Sequence, residues 1–339
     1  MTEEYSGFKL LFGFFIDNYN REGKGRKQIY LYYNIIFMRI AYIILAHNYP
    51  EQLRRLISKL NKDDVSFFIH IDKKADSTIY HQIFTQLQEL PNVFFLKRYN
   101  SGWGSFDIVR ATLEGINSIV ETGLNFDYVI NLSGQDYLIK SNAYIKMFLQ
   151  NNQGKEFIEH FPLPCSKWRG GGLRRIEYWH IRWNDKYFCI PEKQKFQSPI
   201  ASLLYSFFIL FLAKKRKLPE GFAIYGGSQF WCLTGECVKW INIFLKQNPK
   251  FVKRFNYTFC TDELFFQTLI LNSPFKDKVV NDHMRYIDWA DANAYHPKIL
   301  EKQDFEKIRQ SEKLFARKFD VSKDSDILDM IDKMILLNK

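Results

Sequence analysis

The chain has 339 residues, 46% of them hydrophobic, which is enough for a substantial core. Its 48 Lys+Arg against 37 Asp+Glu leave a net charge of +11, which favours phosphates or an acidic membrane face as partners. Zinc-finger spacing and long basic runs are absent, so nucleic acid is not expected; five cysteines without a Cys-x-x-Cys pair argue for buried thiols in a reducing compartment.

Residues 1–37 contain one short apolar run, Phe8–Ile16, too short to cross a bilayer, followed by the polar, basic Asn18–Lys27. No small-residue cleavage site follows a basic start. The expectation is a dispensable extension over 1–37 and a single domain over 38–339. Arg39–Ala46 is β-rich and almost wholly apolar, as in a strand buried on both faces. His47–Pro50 reads as a turn, Glu51–Leu60 as an amphipathic helix and Val65–Ile71 as a second strand ending in Asp72-Lys-Lys74. A helix around Ile79–Leu90 and a strand at Val93–Leu96 follow. Alternating strands and helices predict an α/β fold with parallel strands, in which ligands sit beyond the carboxyl ends. His47 and Asp72 occupy two such ends.

Gly102-Trp-Gly104 lies in a loop before a helix at Ile108–Glu121. Tyr128–Leu132 is a strand closed by Ser133-Gly-Gln-Asp136, Asn142–Leu149 a helix and Lys155–Pro162 a strand. Lys167–Arg175 is a basic, glycine-rich loop, and Tyr178–Trp183 alternates aromatic with polar residues. Pro199–Ala213 is the most apolar window, short of the ~20 residues a spanning helix needs, and Lys214–Lys217 follows at once. Two readings of 199–217 stay open: a helix with a solvated end, or a peripheral contact with anionic lipid. Further on come a glycine turn entering a strand at Ala223–Leu233, a helix at Gly235–Leu245 and a strand around His283–Ile287.

Thr261-Asp-Glu-Leu-Phe-Phe-Gln-Thr-Leu-Ile270 carries the most chemistry. Thr261 can cap a helix whose first turn holds Asp262 and Glu263, with the helix dipole keeping both ionised. A carboxylate so placed can take a proton from a hydroxyl, although acidic first turns are also common as simple caps. P-loop, dinucleotide, Gly-x-Ser-x-Gly and His-Glu-x-x-His motifs are absent. The only Asp-x-Asp, Asp324-Ser-Asp326, sits in a polar stretch away from any strand end. Without a metal, fixed cations must neutralise a leaving phosphate.

Six blocks resemble, in order, the core-2/I-branching β-1,6-N-acetylglucosaminyltransferases and their relatives, the peptide O-xylosyltransferases. They are Ala41–His47, Ile69–Lys74, Val129–Asp136 with Ile139-Lys140, Gly227-Ser228, Thr261-Asp-Glu263 and Leu314–Asp320. The resemblance implies a GT-A-like nucleotide-sugar-binding fold with a mixed, mainly parallel sheet flanked by helices. It also implies an inverting reaction needing neither metal nor other cofactor. It gives Glu263 the role of general base and Arg285 and Lys318 the donor diphosphate. Ala46, His47, Asn48, Asp72, Lys73 and Lys74 would line the uridine site with Trp103 nearby, and Arg174 and Glu177 would touch the acceptor. The donor implied is UDP-N-acetylglucosamine, with UDP-xylose as the alternative, and the acceptor is a glycan or glycoconjugate hydroxyl. Few cysteines and no signal anchor imply a cytoplasmic setting, peripheral to the inner face of the membrane. A noncatalytic glycan-binding relative is the other reading, and each residue taken alone also has a purely structural one.

Overall fold

The computed structural model describes residues 38–183, 186–191, 198–212, 215–289 and 296–337; the expected extension 1–37 lies outside them. Strand β1 (Ile40–Ala46) is the uninterrupted apolar run that a strand covered on both faces requires. Helix α1 (Pro50–Leu60) starts with proline in its first turn and buries Leu53, Leu56, Ile57 and Leu60 on one side. After β2 (Val65–Ile71), helix α2 (Ser77–Leu87) is capped by Asp76, whose carboxylate accepts from the Thr78 N–H at 2.7 Å. Then come β3 (Val93–Phe95), α3 (Phe106–Glu121) and β4 (Tyr128–Ser133).

The next elements are β5 (Tyr137–Leu138), α4 (Asn142–Asn151), β6 (Glu156–Ile158), β7 (Phe161–Pro162) and the one-turn helix α5 (Arg174–Glu177). A hairpin of β8 (Trp179–Trp183) and β9 (Lys186–Ile190) leads to α6 (Pro199–Leu212). The remainder comprises β10 (Tyr225–Gly226), β11 (Trp231–Thr234), α7 (Gly235–Gln247), α8 (Pro249–Phe255), α9 (Phe265–Leu271), β12 (Val279–Val280), β13 (Arg285–Ile287), α10 (Phe305–Gln310), β14 (Phe315–Arg317) and α11 (Asp326–Leu337). The strand expected over Lys155–Pro162 is two strands in two sheets, because the chain leaves β6 at Glu159 and pairs Phe161–Pro162 with β10.

The main sheet has seven strands in the order β12-β6-β11-β4-β1-β2-β3. Pairing is parallel throughout except for β11, which runs antiparallel between β4 and β6. This is the expected mixed, mainly parallel sheet flanked by helices. Its antiparallel member is β11, inserted between β4 and β6. Glu156, fully buried in β6, pins it: its carboxylate accepts the Thr234 N–H at 2.8 Å and the Thr234 hydroxyl at 2.6 Å. Helices cover both faces. Tyr42, Ile44, Phe67 and Ile69 pack with α1 on one side, while Ala41, Ile43, Phe68 and Val129 pack with α3 on the other. Full burial of each large side chain contributes about 1.5–3 kcal/mol. Gly115 lets α3 approach, since a Cβ there would lie 2.8 Å from Ile43 Cγ2.

Register decides where a ligand can bind. Leu45 stands opposite both His70 and Ser133, so β1, β2 and β4 end level. Their loops open on one edge, at the point where strand order reverses about β1. A second sheet, β13-β14-β5, lies beside that edge and carries Arg285 and Arg317 towards it.

Candidate active site

The β1 and β2 ends supply the first wall. Ala46 is buried and its carbonyl accepts the Asp72 N–H at 2.8 Å, which ties the two loops together. Asp72 Oδ1 accepts the Lys74 N–H at 2.8 Å, so this carboxylate shapes its own turn while Lys73 and Lys74 project outward. Asn48 Oδ1 accepts from the Tyr49 N–H, and Tyr49, at φ 56°, donates its hydroxyl to Asp320. His47 is exposed at the surface rather than an interior histidine. Its pKa is pushed down, first by loss of solvent around the ring and then by Lys318 and Arg317, against the pull of Asp72. His47, Asp72, Arg317 and Lys318 are therefore electrostatic neighbours.

The expected cations take unequal positions. Arg285 is only 2% exposed. Its Nη2 donates to the Asn131 carbonyl, and its Nη1 donates to the His283 carbonyl and contacts Cys232 Sγ at 3.1 Å. It is a cation built into the floor. Arg317 lies above it, its guanidinium 4.3 Å from the Phe230 ring centroid and 3.3 Å from Asp136, with 14% of the side chain exposed. Burial and the nearby Arg285 push the Arg317 pKa down against the pull of Asp136. Lys318 is partly exposed, and burial and Arg317 lower its pKa. Asp136 does hold its own turn, accepting from the Ser133 N–H and hydroxyl at 3.0 and 2.8 Å.

Glu263 corrects one expectation. The two acids do not open an α-helix under a Thr261 cap. They form a 3-10 turn, Thr261–Glu263, entered through Cys260 at φ 47°, and α9 begins only at Phe265. Thr261 is buried and donates its hydroxyl back to the Thr258 carbonyl at 2.7 Å, so no hydroxyl caps a dipole. Asp262 is not held fully ionised: burial, and then the charge of Glu263, push its pKa up to about 7. Its Oδ1 is buried without a hydrogen-bond donor. Glu263 remains 36% exposed and ion-pairs with Arg175.

Three contacts fix this turn. The Glu263 carbonyl accepts the Gly227 N–H at 2.9 Å, and Gly227 must lack a side chain because a Cβ would stand 1.9 Å from the Glu159 carbonyl oxygen. The Gly104 carbonyl accepts the Cys260 N–H at 2.9 Å. The Arg175 carbonyl accepts the Phe259 N–H at 2.9 Å, joining α5 to the same loop. Trp103, 54% exposed, meets Phe259 edge-on at 5.3 Å, so the Gly102-Trp-Gly104 loop abuts the Glu263 turn instead of entering the core.

Arg174 and Glu177 stand on either side of Arg175, which pairs with Glu263. Arg174 is exposed, its guanidinium 5.2 Å from the Tyr178 ring centroid. Glu177 pairs with Lys215 at 2.6 Å. Arg175 is the residue of α5 that meets Glu263, and sequence reasoning passed over it although it adjoins Arg174. Arg317 was passed over too, although it precedes Lys318 in a recognised block. Nothing in the sequence marks the buried state of Asp262.

A cavity of about 550 Å³ adjoins this cluster, lined by Lys74, Asn100, Arg110, His180, Arg182 and Tyr187 among others. Of the expected residues only Lys74 lines it. Tyr187 links the two regions: its hydroxyl donates to the Trp103 carbonyl at 2.9 Å. Its pKa is pushed up to about 12, mainly by burial, with a smaller push from Asp262.

The family model described as "Branch: Core-2/I-Branching enzyme" matches residues 40–309. Xylosyltransferase 2 of Rattus norvegicus is 25% identical over 318 residues, covering 87% of this chain and 33% of that protein. Xylosyltransferase 1 of Homo sapiens is 24% identical over 314 residues, covering 87% and 30%. The chain thus spans about a third of the length of these relatives. Among solved structures, the galactosyltransferase LgtC in complex with donor and acceptor sugar analogs aligns with a TM-score of 0.38 at 9% identity, covering 87% of this chain and 95% of that one. The match over residues 40–309 places this chain in the Core-2/I-branching enzyme family.

Proposed function

We propose that the protein is a glycosyltransferase that moves a sugar from a UDP-sugar to a glycan hydroxyl, with inversion and without a metal ion. Glu263 takes the proton of the acceptor hydroxyl. That oxygen bonds to the anomeric carbon from the face opposite UDP, the bond from carbon to diphosphate oxygen breaks, and the electron pair leaves with UDP. Arg317 and Lys318 receive the developing charge beside His47 and Asp72, over the buried positive charge of Arg285. Ala46, Asn48, Lys73, Lys74 and Trp103 complete the donor wall, and Arg174 and Glu177 border the acceptor side.

The observation that carries this reading is an accessible carboxylate, Glu263, next in the chain to Asp262, whose charge acts on Arg317, so that the acid turn and the cation group belong to one region. N-acetylglucosamine is the first donor sugar of the reading and xylose the second, the latter favoured by the names of the relatives. A cytoplasmic setting and a peripheral membrane contact through 199–217 belong to it as well. The test is UDP release from a panel of UDP-sugars with and without chelator. Turnover of one UDP-sugar, unchanged by chelator, is expected. Sugar binding without UDP release would favour the noncatalytic relative.

A further inference from the structure

Helix α6 turns an apolar side outward. Ile200, Leu203, Leu204 and Phe207 are 71, 72, 65 and 62% exposed. Their spacing of three and four residues puts them on one stripe of the helix, and Pro199–Leu212 contains no charged residue. Tyr205, turned another way, donates its hydroxyl to the Cys189 carbonyl at 3.3 Å, so the helix is seated on β9.

A basic surface adjoins the end of this stripe. The sequence continues Lys214-Lys-Arg-Lys217, and Lys215 and Lys217 are exposed. Arg216 is buried with its guanidinium 4.8 Å from the Trp179 ring centroid, and it donates to the Arg254 carbonyl. Arg254 in turn donates to the Lys217 carbonyl. These bonds hold α8 alongside and add the exposed Lys250 and Lys253, next to Tyr257, which is 45% exposed. Among the described residues of this stretch, the acids beside Lys215 and Lys217 are Glu177, already bonded to Lys215, and the exposed Glu220.

Fourteen residues of helix reach ~21 Å, short of the ~30 Å of a hydrocarbon core. No described helix is long and apolar enough to cross a membrane. An apolar stripe with cations at its end and an aromatic ring at the border fits a bilayer surface better than a protein groove, because the lysines find anionic headgroups where the stripe finds acyl chains.

We propose that α6 lies in the surface of an anionic bilayer, with Ile200, Leu203, Leu204 and Phe207 among the acyl chains and Lys215, Lys217, Lys250 and Lys253 at the headgroups. The hairpin that seats α6 also lines the 550 Å³ cavity through His180, Arg182 and Tyr187. Docking therefore holds one wall of that cavity near headgroup level. Resting on the proposed glycosyl transfer, this makes the acceptor a glycan anchored in the same membrane.

The test is flotation of the full chain with vesicles of phosphatidylcholine alone or mixed with phosphatidylglycerol. Wild type should float with the mixed vesicles and dissociate as salt rises. Leu203→Glu/Phe207→Glu should lower the bound fraction at least about tenfold, and Lys217→Glu/Lys253→Glu should lower it on mixed vesicles only. Both double variants should melt like wild type and keep UDP release in solution, so loss of docking and loss of catalysis are read separately. Three results would overturn the proposal: wild type that floats with neither vesicle, apolar variants that float like wild type, or a dimer in sedimentation equilibrium that Leu203→Glu/Phe207→Glu converts to monomer.

Discussion

Arg175 pairs with Glu263 while its guanidinium lies 3.7 Å from the centroid of the Trp168 ring. Trp168 is itself confined: a Cβ on Gly172 or Gly226 would come within 2.6 Å of its ring. The carboxylate is thus held by a cation that cannot swing freely. In the proposed reaction the acceptor hydroxyl approaches Glu263 beside this pair, with the direction of the carboxylate set before it arrives.

On the proposed mechanism, removing the Glu263 carboxylate should leave donor binding and lose turnover. Glu263→Gln should reduce kcat about 100- to 10,000-fold, with little change in the KM for the UDP-sugar. Arg175→Ala should reduce kcat roughly 10- to 100-fold by freeing the carboxylate, and Arg175→Lys should fall between, since it keeps the charge and loses the flat stack. Steady-state kinetics on the three variants checks this; equal loss in Arg175→Lys and Arg175→Ala would assign the effect to stacking alone.

The cations should separate into a structural and a functional one. Arg285→Ala strips buried donors from the Asn131 and His283 carbonyls and should cost about 2–5 kcal/mol of stability, seen as a lower midpoint in urea. Lys318→Ala should melt near wild type and lower kcat/KM for the donor roughly 100-fold or more. Arg317→Ala should show both effects, because its partner Asp136 is fully buried.

Gly227→Ala should damage the site without touching a charged group. The new methyl would be forced against the Glu159 carbonyl, and overpacking of this kind costs about 1–3 kcal/mol. Relief by backbone movement breaks the Gly227 N–H bond to the Glu263 carbonyl, so turnover should fall even where the protein stays folded. Thermal melts and UDP release, measured together, separate the two.

Asp262 predicts a pH dependence of stability. In the folded chain its proton is held up to about pH 7, whereas the ordinary value is 3.8. The folded state binds the proton more tightly, so this group's contribution is full below the ordinary carboxylate range and is lost as pH rises towards about 7. Urea midpoints measured from about pH 5 to about pH 8 should decline for wild type and decline less for Asp262→Asn. Parallel curves would show that the group titrates elsewhere.

Most of the N-terminal sheet was legible because β1, β2 and β4 are apolar runs with abrupt polar ends, and period and punctuation place such strands well. The turn before α9 was not. Its acids look like a helix start, and only tertiary contact with Gly104, Gly227 and Arg175 makes it a 3-10 turn with one buried acid. Trp231–Thr234 was visible as a strand, but its direction depends on Glu156 and on Gly235 packing against the Phe126 carbonyl, more than a hundred residues away in the second case. Of the candidate site, Glu263 and Lys318 were named from recognised blocks. Arg175 and Arg317 sit one position from named residues and could be told apart from them only by which way a short helix and a strand turn.

The reversed strand β11 also bears on how the molecule is made. Residues 40–133 can collapse as a local α/β unit, but the gap between β4 and β6 is filled only when a segment about a hundred positions later arrives. Such distant pairings are slow to form. Because the Gly227 anchor of Glu263 lies just upstream of that segment, and Arg285 and Arg317 lie beyond it, a nascent chain would set out the ends of β1 and β2 well before the acid turn and the cations could come together around them.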